Sequence, residues 1–264
     1  MTQGKTHGNM HHHFSRIAHR YRDLRATDPE PVAFIAGELS GLPQVEAADI
    51  GCGAGRYDLL LFRHLGNRLR LTCIDANADM LRSLKKYLRG HCIGRFTTVN
   101  AIADNLPVAS GTLNCILTFN AVHHFNVAGF LQESARVLKA GGHIFIYTRT
   151  EEQNRRNIWG RYFPGFCEKE TRLHKLRHLR ETLDAAPSLV VQSVEYFSFR
   201  RVSTLERLVE VARASHYSTL QLYSPQEMER AIAGFQHNVK QDYSDPDHVE
   251  WVDENTLFVI LRDG

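Results

Sequence analysis

Short apolar runs alternate with longer amphipathic stretches from residue 45 through residue 148, and this alternation is the strongest pattern in the chain. The runs at 45–50, 70–75, 96–100, 113–119 and 143–147 have the length and composition of strands. Between them, 56–65, 78–88 and 130–138 place apolar residues at helical spacing. Such an order predicts parallel strands joined by right-handed crossovers, with helices on both faces. Upstream, 14–40 has helical periodicity through Phe14, Ile17, Ala18 and Tyr21, broken by Pro29 and Pro31 before a second helix at 32–39. Residues 151–218 read as basic, aromatic and mainly helical. Ser224-Pro225 then opens a helix at 226–235, and 255–261 reads as a last strand. The expected fold is α/β: a doubly wound, mainly parallel sheet with a helical cap and a C-terminal strand returning to the sheet. Its expected parts are helices at 1–40 over the ligand site, a core at 41–150, a cap and acceptor region at 151–235 that also supplies part of the sheet, and a closing segment at 236–264.

Composition narrows the picture modestly. With 264 residues, 43% hydrophobic and 23% charged, the chain can bury a sizeable core and does not resemble a disordered segment. A formal charge of +3 is too small to argue for nucleic acid. No apolar run reaches the roughly 18 residues of a membrane span, and the N-terminus lacks the apolar core of a signal peptide. The five cysteines are odd in number, widely spaced and without a C-x-x-C pair, which predicts reduced structural thiols in a cytoplasmic protein. The run His11 to His13 is either a metal binder or an expression tag. No other histidine pair has metal-ligand spacing, so no metal is expected.

Candidate chemistry gathers just after the strands, where ligands of doubly wound sheets bind. Asp49-Ile50-Gly51-Cys52-Gly53-Ala54-Gly55 is a glycine-rich turn from strand to helix. It lets backbone approach a ligand and presents N–H groups at the helix start. Its G-x-G-x-G spacing differs from the G-x-G-x-x-G of dinucleotide binders, and Asp49 would repel a pyrophosphate but suits a cationic amino group. By itself the turn is a weak signal. Asp75 ends the second strand about twenty residues on, where a carboxylate can accept both ribose hydroxyls; the plainer alternative is a turn or capping residue.

These residues, with Ala103-Asp104-Asn105-Leu106-Pro107, Asn120-Ala121-Val122-His123-His124 and Val137-Leu138-Lys139-Ala140-Gly141-Gly142, resemble the class I S-adenosylmethionine-dependent methyltransferases. The branch they look most like holds the ubiquinone/menaquinone-biosynthesis and trans-aconitate enzymes. The resemblance implies S-adenosyl-L-methionine as cofactor. It places Gly51, Cys52 and Gly53 at the methionine part and Asp49 at its ammonium. Asp75 would hold the ribose, Ala76 and Asn77 would flank the adenine, and Ala103 and Asp104 would border its edge. Asn120 would lie near the sulfonium, and Tyr21 would close over the cofactor. Ile102 departs from the pattern, standing where family members commonly have an acid for the adenine amino group.

Transfer from a sulfonium is an in-line displacement, so positioning and water exclusion come first and a base is optional. His123 and His124 are the residues placed to take a proton, the alternative being a packing role. Arg149, Trp159, Tyr162 and Tyr217 are the acceptor-side candidates, although aromatic clusters at helical spacing are more often packing. The expected acceptor is a small molecule, with nucleic acid unlikely. The competing readings are an RNA methyltransferase, prompted by the basic run Arg155, Arg156, Arg161, Lys169, Arg172, Lys175, Arg177 and Arg180, and a non-catalytic S-adenosylmethionine-binding protein. Oligomeric state is not readable from these residues.

Overall fold

A computed structural model describes residues 27–214 and 217–263. Tyr21, the part of the helical stretch read at 14–40 that precedes residue 27, and the run His11 to His13 lie outside the described residues. The elements of the first part are α1 (Glu30–Glu38), β1 (Val45–Ile50), α2 (Asp58–Leu65), β2 (Leu69–Asp75), α3 (Ala78–Gly90), β3 (Phe96–Asn100), β4 (Leu113–Phe119), α4 (Val127–Val137) and β5 (Leu138–Thr148). After them come α5 (Glu151–Arg156), α6 (Ile158–Tyr162), α7 (Phe166–Lys169), α8 (Leu176–Asp184), β6 (Leu189–Ser203), α9 (Leu205–Arg213), α10 (Pro225–Asp242) and β7 (Val249–Arg262).

The seven strands form one sheet in the order β3-β2-β1-β4-β5-β7-β6. β1 pairs in parallel with β2 and β4, β2 with β3, and β4 with β5, while β7 runs antiparallel to β5. β1 and β4 are buried along nearly their whole length, as central strands covered on both faces must be. Their neighbouring helices follow from local chemistry. Asn77 caps α3 by accepting from the N–H groups of Asp79 and Met80, and Met80, Leu81, Leu84 and Leu88 bury one face. The strand order reverses between β1 and β4, so a crevice is expected beyond their carboxyl ends.

The strands expected at 45–50, 96–100 and 113–119 form over those residues. Residues 189–203, within the stretch read as mainly helical but also expected to supply part of the sheet, form β6, whose exposure alternates residue by residue along much of its length. Its arginines and aromatics draw a helical reading, but Val190, Tyr196 and Val202 are exposed and share one face, the period of a strand.

The chain divides into two compact units. One takes the chain as far as Thr148, then Arg177–Glu195, and the chain from Thr256 onward; the other holds Arg149–Leu176 and Tyr196–Asn255. The second unit has its own apolar core, in which Trp159, Phe163, Phe166 and Phe235 pack together. Capping boxes at Thr150/Gln153 and Ser224/Glu227 start two of its helices. No helix among the described residues is long and apolar enough to cross a membrane.

Candidate functional site

The chain leaves β1 through three glycines with positive φ: Gly51 (73°), Gly53 (55°) and Gly55 (83°). Gly51 and Gly53 are needed for different reasons. A Cβ on Gly51 would lie 2.5 Å from Cβ of Ala121, so this glycine lets the turn after β1 abut the turn after β4. A Cβ on Gly53 would meet nothing within 4 Å, so its side of the loop opens into space. The loop is pinned from β2. Gly51 and Cys52 donate their N–H groups to the Ile74 carbonyl at 2.8 and 3.2 Å.

Asp75 is oriented by backbone. The Gly53 N–H donates to its Oδ2 at 2.9 Å and the Asn77 N–H to its Oδ1 at 2.8 Å. These donors fix the plane of the carboxylate, and each oxygen of such a group has a second lone pair. Asn100 at the end of β3 donates through Nδ2 to the Asp75 carbonyl at 2.8 Å.

Asp49, one residue before the end of β1, is 2% exposed, and Asp58 in the first turn of α2 is fully buried. Apart from each other, Oδ1 of Asp49 and both carboxyl oxygens of Asp58 have no hydrogen-bond partner among the described residues. The two carboxyls interact with each other. Burial pushes Asp49 well up, with the charge of Asp58, a hydrogen bond to it and the charge of Asp75 adding to the rise. Burial also lifts Asp58 to about 7; the hydrogen bond with Asp49 opposes the rise and the Asp75 charge adds to it. Both carboxyls are therefore harder to ionise than exposed acids. Burial raises the Cys52 thiol as well, so it is not a thiolate nucleophile.

The turn after β4 begins at Asn120, whose φ of 54° asparagine tolerates, and whose N–H donates to the Tyr147 carbonyl at 2.7 Å. His123 and His124 follow in a short 3₁₀ turn, half-buried, with ring centroids 4.1 Å apart. The loop after β3 carries Ala103 and Asp104 and is clasped from α4. Arg136 donates to the carbonyls of Leu106 and Val108 and pairs with Glu133, which in turn accepts from the Leu106 N–H. Asn126 donates to Asp104 at 3.2 Å.

The first unit thus brings Asp49, Gly51, Cys52, Gly53 and Asp75 into one loop system, with exposed Ala76 beside Asp75 and Asn120 on the abutting turn. Ala103 is buried, Asp104 is half-buried, and Ile102 is 54% exposed. The acceptor-side candidates lie in the second unit. Arg149 pairs with Asp253 at 3.1 Å. Trp159 is 3% exposed and stacks on Phe235 at 5.3 Å. Tyr162 donates its hydroxyl to Asp242 at 2.7 Å, and the Tyr217 ring lies 5.7 Å from Trp159. A surface groove of about 420 Å³ runs along α9 and α10, lined by charges of both signs, and contains none of the candidate site residues.

Sequence reasoning missed Asp58 and Arg136. The signal for Asp58 was an acid one helical turn before Leu61 and Phe62, hence on the face that packs inward. Arg136 gives no such sign, because its partners are backbone carbonyls about thirty residues away.

A sheet in this order, with one antiparallel strand and its glycine loop at the switch point, is the Rossmann-like fold of methyltransferases. The YcgJ protein from Bacillus subtilis has it too, with a TM-score of 0.64 at 14% identity over 89% of this chain and 99% of that one. Residues 48–146 match the family described as Methyltransferase domain. The tRNA (carboxymethyluridine(34)-5-O)-methyltransferase ALKBH8 of Mus musculus is 30% identical over 162 residues, 60% of this chain and 22% of that protein. The ubiquinone biosynthesis O-methyltransferase of Nitrosomonas europaea is 28% identical over 146 residues, 51% of this chain and 60% of that protein. The chain thus spans well under a third of the tRNA-modifying relative.

The residues fit the cofactor of this family. A nucleoside with a cationic amino-acid tail needs open space beside a backbone loop, a carboxylate for its ribose and a carboxylate for its ammonium. Gly53 has an open side, and Asp75 and Asp49 are carboxyl groups of the same loop system.

Proposed function

We propose that this protein transfers a methyl group from S-adenosylmethionine to a small-molecule acceptor by in-line displacement. The observation that carries the reading is the open side of Gly53 beside an Asp75 carboxylate already oriented by two backbone donors. When bound, the sulfonium supplies an electrophilic methyl group. The protein's part is to hold and align. Asp75 takes the ribose hydroxyls, Asp49 takes the ammonium, Gly51 and Cys52 lie along the methionine tail, and Asn120 stands at its sulfur end. Ala76, Ala103 and Asp104 border the adenine, with Ile102 offering an apolar edge where relatives offer an acid. Where the acceptor has a proton to lose, His123 or His124 takes it. Arg149 and Tyr217 are the acceptor-side positions to substitute first, because replacing buried Trp159 or Tyr162 would disturb the core of the second unit.

Calorimetry tests the cofactor half of this reading. The wild-type chain should bind S-adenosylmethionine and its demethylated product. Gly53→Ala should keep a melting temperature within a few degrees, since strain at positive φ costs only about 1–2 kcal/mol, yet lose at least tenfold in affinity. Failure of the wild type to bind either compound sinks the enzyme reading and the non-catalytic binding reading together. Turnover of an acceptor panel then separates those two.

A second reading, RNA methylation, is favoured by the similarity to a tRNA-modifying enzyme. Against it stands the basic run. Arg155, Arg156, Arg161, Lys169, Arg172 and Arg177 each pair with a carboxylate, which leaves little positive charge to follow phosphates. Salt-sensitive tRNA binding would revive it.

A further inference from the structure

Three acids surround one glycine loop, and only two have a part in the reading above. Asp58 is the third. It sits in the first turn of α2, fully buried, with Oδ2 3.4 Å from where a Cβ on Gly55 would be. Apart from Asp49, neither of its oxygens has a hydrogen-bond partner among the described residues. A buried carboxyl pair with unmet hydrogen-bonding capacity is costly to keep, and one natural remedy is a cation.

We propose that Asp58 is a positioning residue for the cofactor's ammonium, acting through Asp49 as a proton-sharing pair that the arriving cation breaks. The inference rests on the cofactor reading above. Without ligand, a proton held between the carboxyls cancels one of the two negative charges. When the ammonium reaches Asp49, that O–H bond breaks, the electron pair stays on the carboxylate and the proton leaves to solvent. No other bond changes. Cofactor capture is thereby coupled to release of one proton, and affinity rises with pH until the pair is fully ionised.

Other titratable groups face this pair. Asp75 adds negative charge from the end of β2, and Cys52 and Cys73 flank it as thiols, Cys73 raised to about 12. Histidine ordinarily titrates in the same range, so His123 and His124 are controlled for by a variant that leaves them unchanged.

The test is calorimetric titration of the full chain with S-adenosylmethionine between about pH 5.5 and 7.5, below the usual range of the ligand's α-amino group. Each pH is run in two buffers of different ionisation enthalpy. The expected result is release of close to one proton at the acid end, with affinity rising up to about tenfold per pH unit. Asp58→Asn removes the charge and hydrogen bond of Asp58 but not the burial of Asp49, so its affinity profile should move to lower pH, with less proton release at a given pH; Asp58→Ser serves if the amide variant does not fold. Tight, pH-independent binding by the wild type overturns the proposal and leaves the cofactor reading standing. So does a variant that keeps the wild-type profile. Absence of binding at any pH overturns both.

Discussion

At the scale of single residues, the informative feature is a carboxylate placed where its charge is expensive. Asp58 is fully buried and its carboxyl is raised to about 7 by that burial. A raised acid holds in the folded state a proton that the unfolded chain surrenders above about pH 4, so the penalty is absent in acid. It grows as pH rises from about 4 to about 7 and is constant above the folded pKa. Asp58→Asn should therefore stabilise the ligand-free protein at about pH 8, by on the order of 1–3 kcal/mol, with the gain shrinking toward nothing near pH 4. Thermal unfolding at several pH values checks both the size and the sign. A variant destabilised equally at all pH values would show that Asp58 matters for packing alone.

At the scale of elements, the loop after β3 depends on a side chain from α4. Arg136 holds the Leu106 and Val108 carbonyls while Glu133 accepts from the Leu106 N–H. Glu133 is held below the usual carboxylate range, chiefly by its hydrogen bond from Arg136. Arg136→Ala removes several donors at once. It should cost about 1–3 kcal/mol in unfolding and weaken S-adenosylmethionine binding by several-fold, because this loop carries Ala103 and Asp104. Unchanged affinity in calorimetry would separate the clasp from the cofactor site. The parallel strands and the acids at their ends were legible in the sequence, since central strands are continuous apolar runs and their function sits at fixed ends. The clasp was not, because backbone carbonyls leave no mark in a sequence. Nor was β6, whose exposed face carries Arg200 among its apolar residues, so that its period of two was hidden by charge. Asp58 was visible as an acid on an apolar helix face, but only the burial of its neighbours shows that it has no water.

At the scale of the molecule, the sheet is closed by residues far apart in the chain. His143 pairs with Leu261 and Thr148 with Thr256, and the strand β7 that makes these pairs lies between β5 and β6. Leu257, Phe258, Val259 and Ile260 are essentially buried, so the contact is apolar as well as hydrogen-bonded. Chains ending before Thr256 should be recovered mainly as aggregates, with the β5 edge unpaired; a soluble, monodisperse truncation on gel filtration would contradict this. The same order has a temporal meaning. The strands β1 to β5 can pair as they emerge during synthesis, each crossing back beside an earlier one. Among the described residues the sheet neighbour of β6 is β7, so β6 emerges before that neighbour exists and stays unpaired until β7 is translated. A strand made later must then enter between two made earlier, so slowing translation through residues 204–262 should lower the folding yield, as the soluble fraction from cell-free synthesis would show.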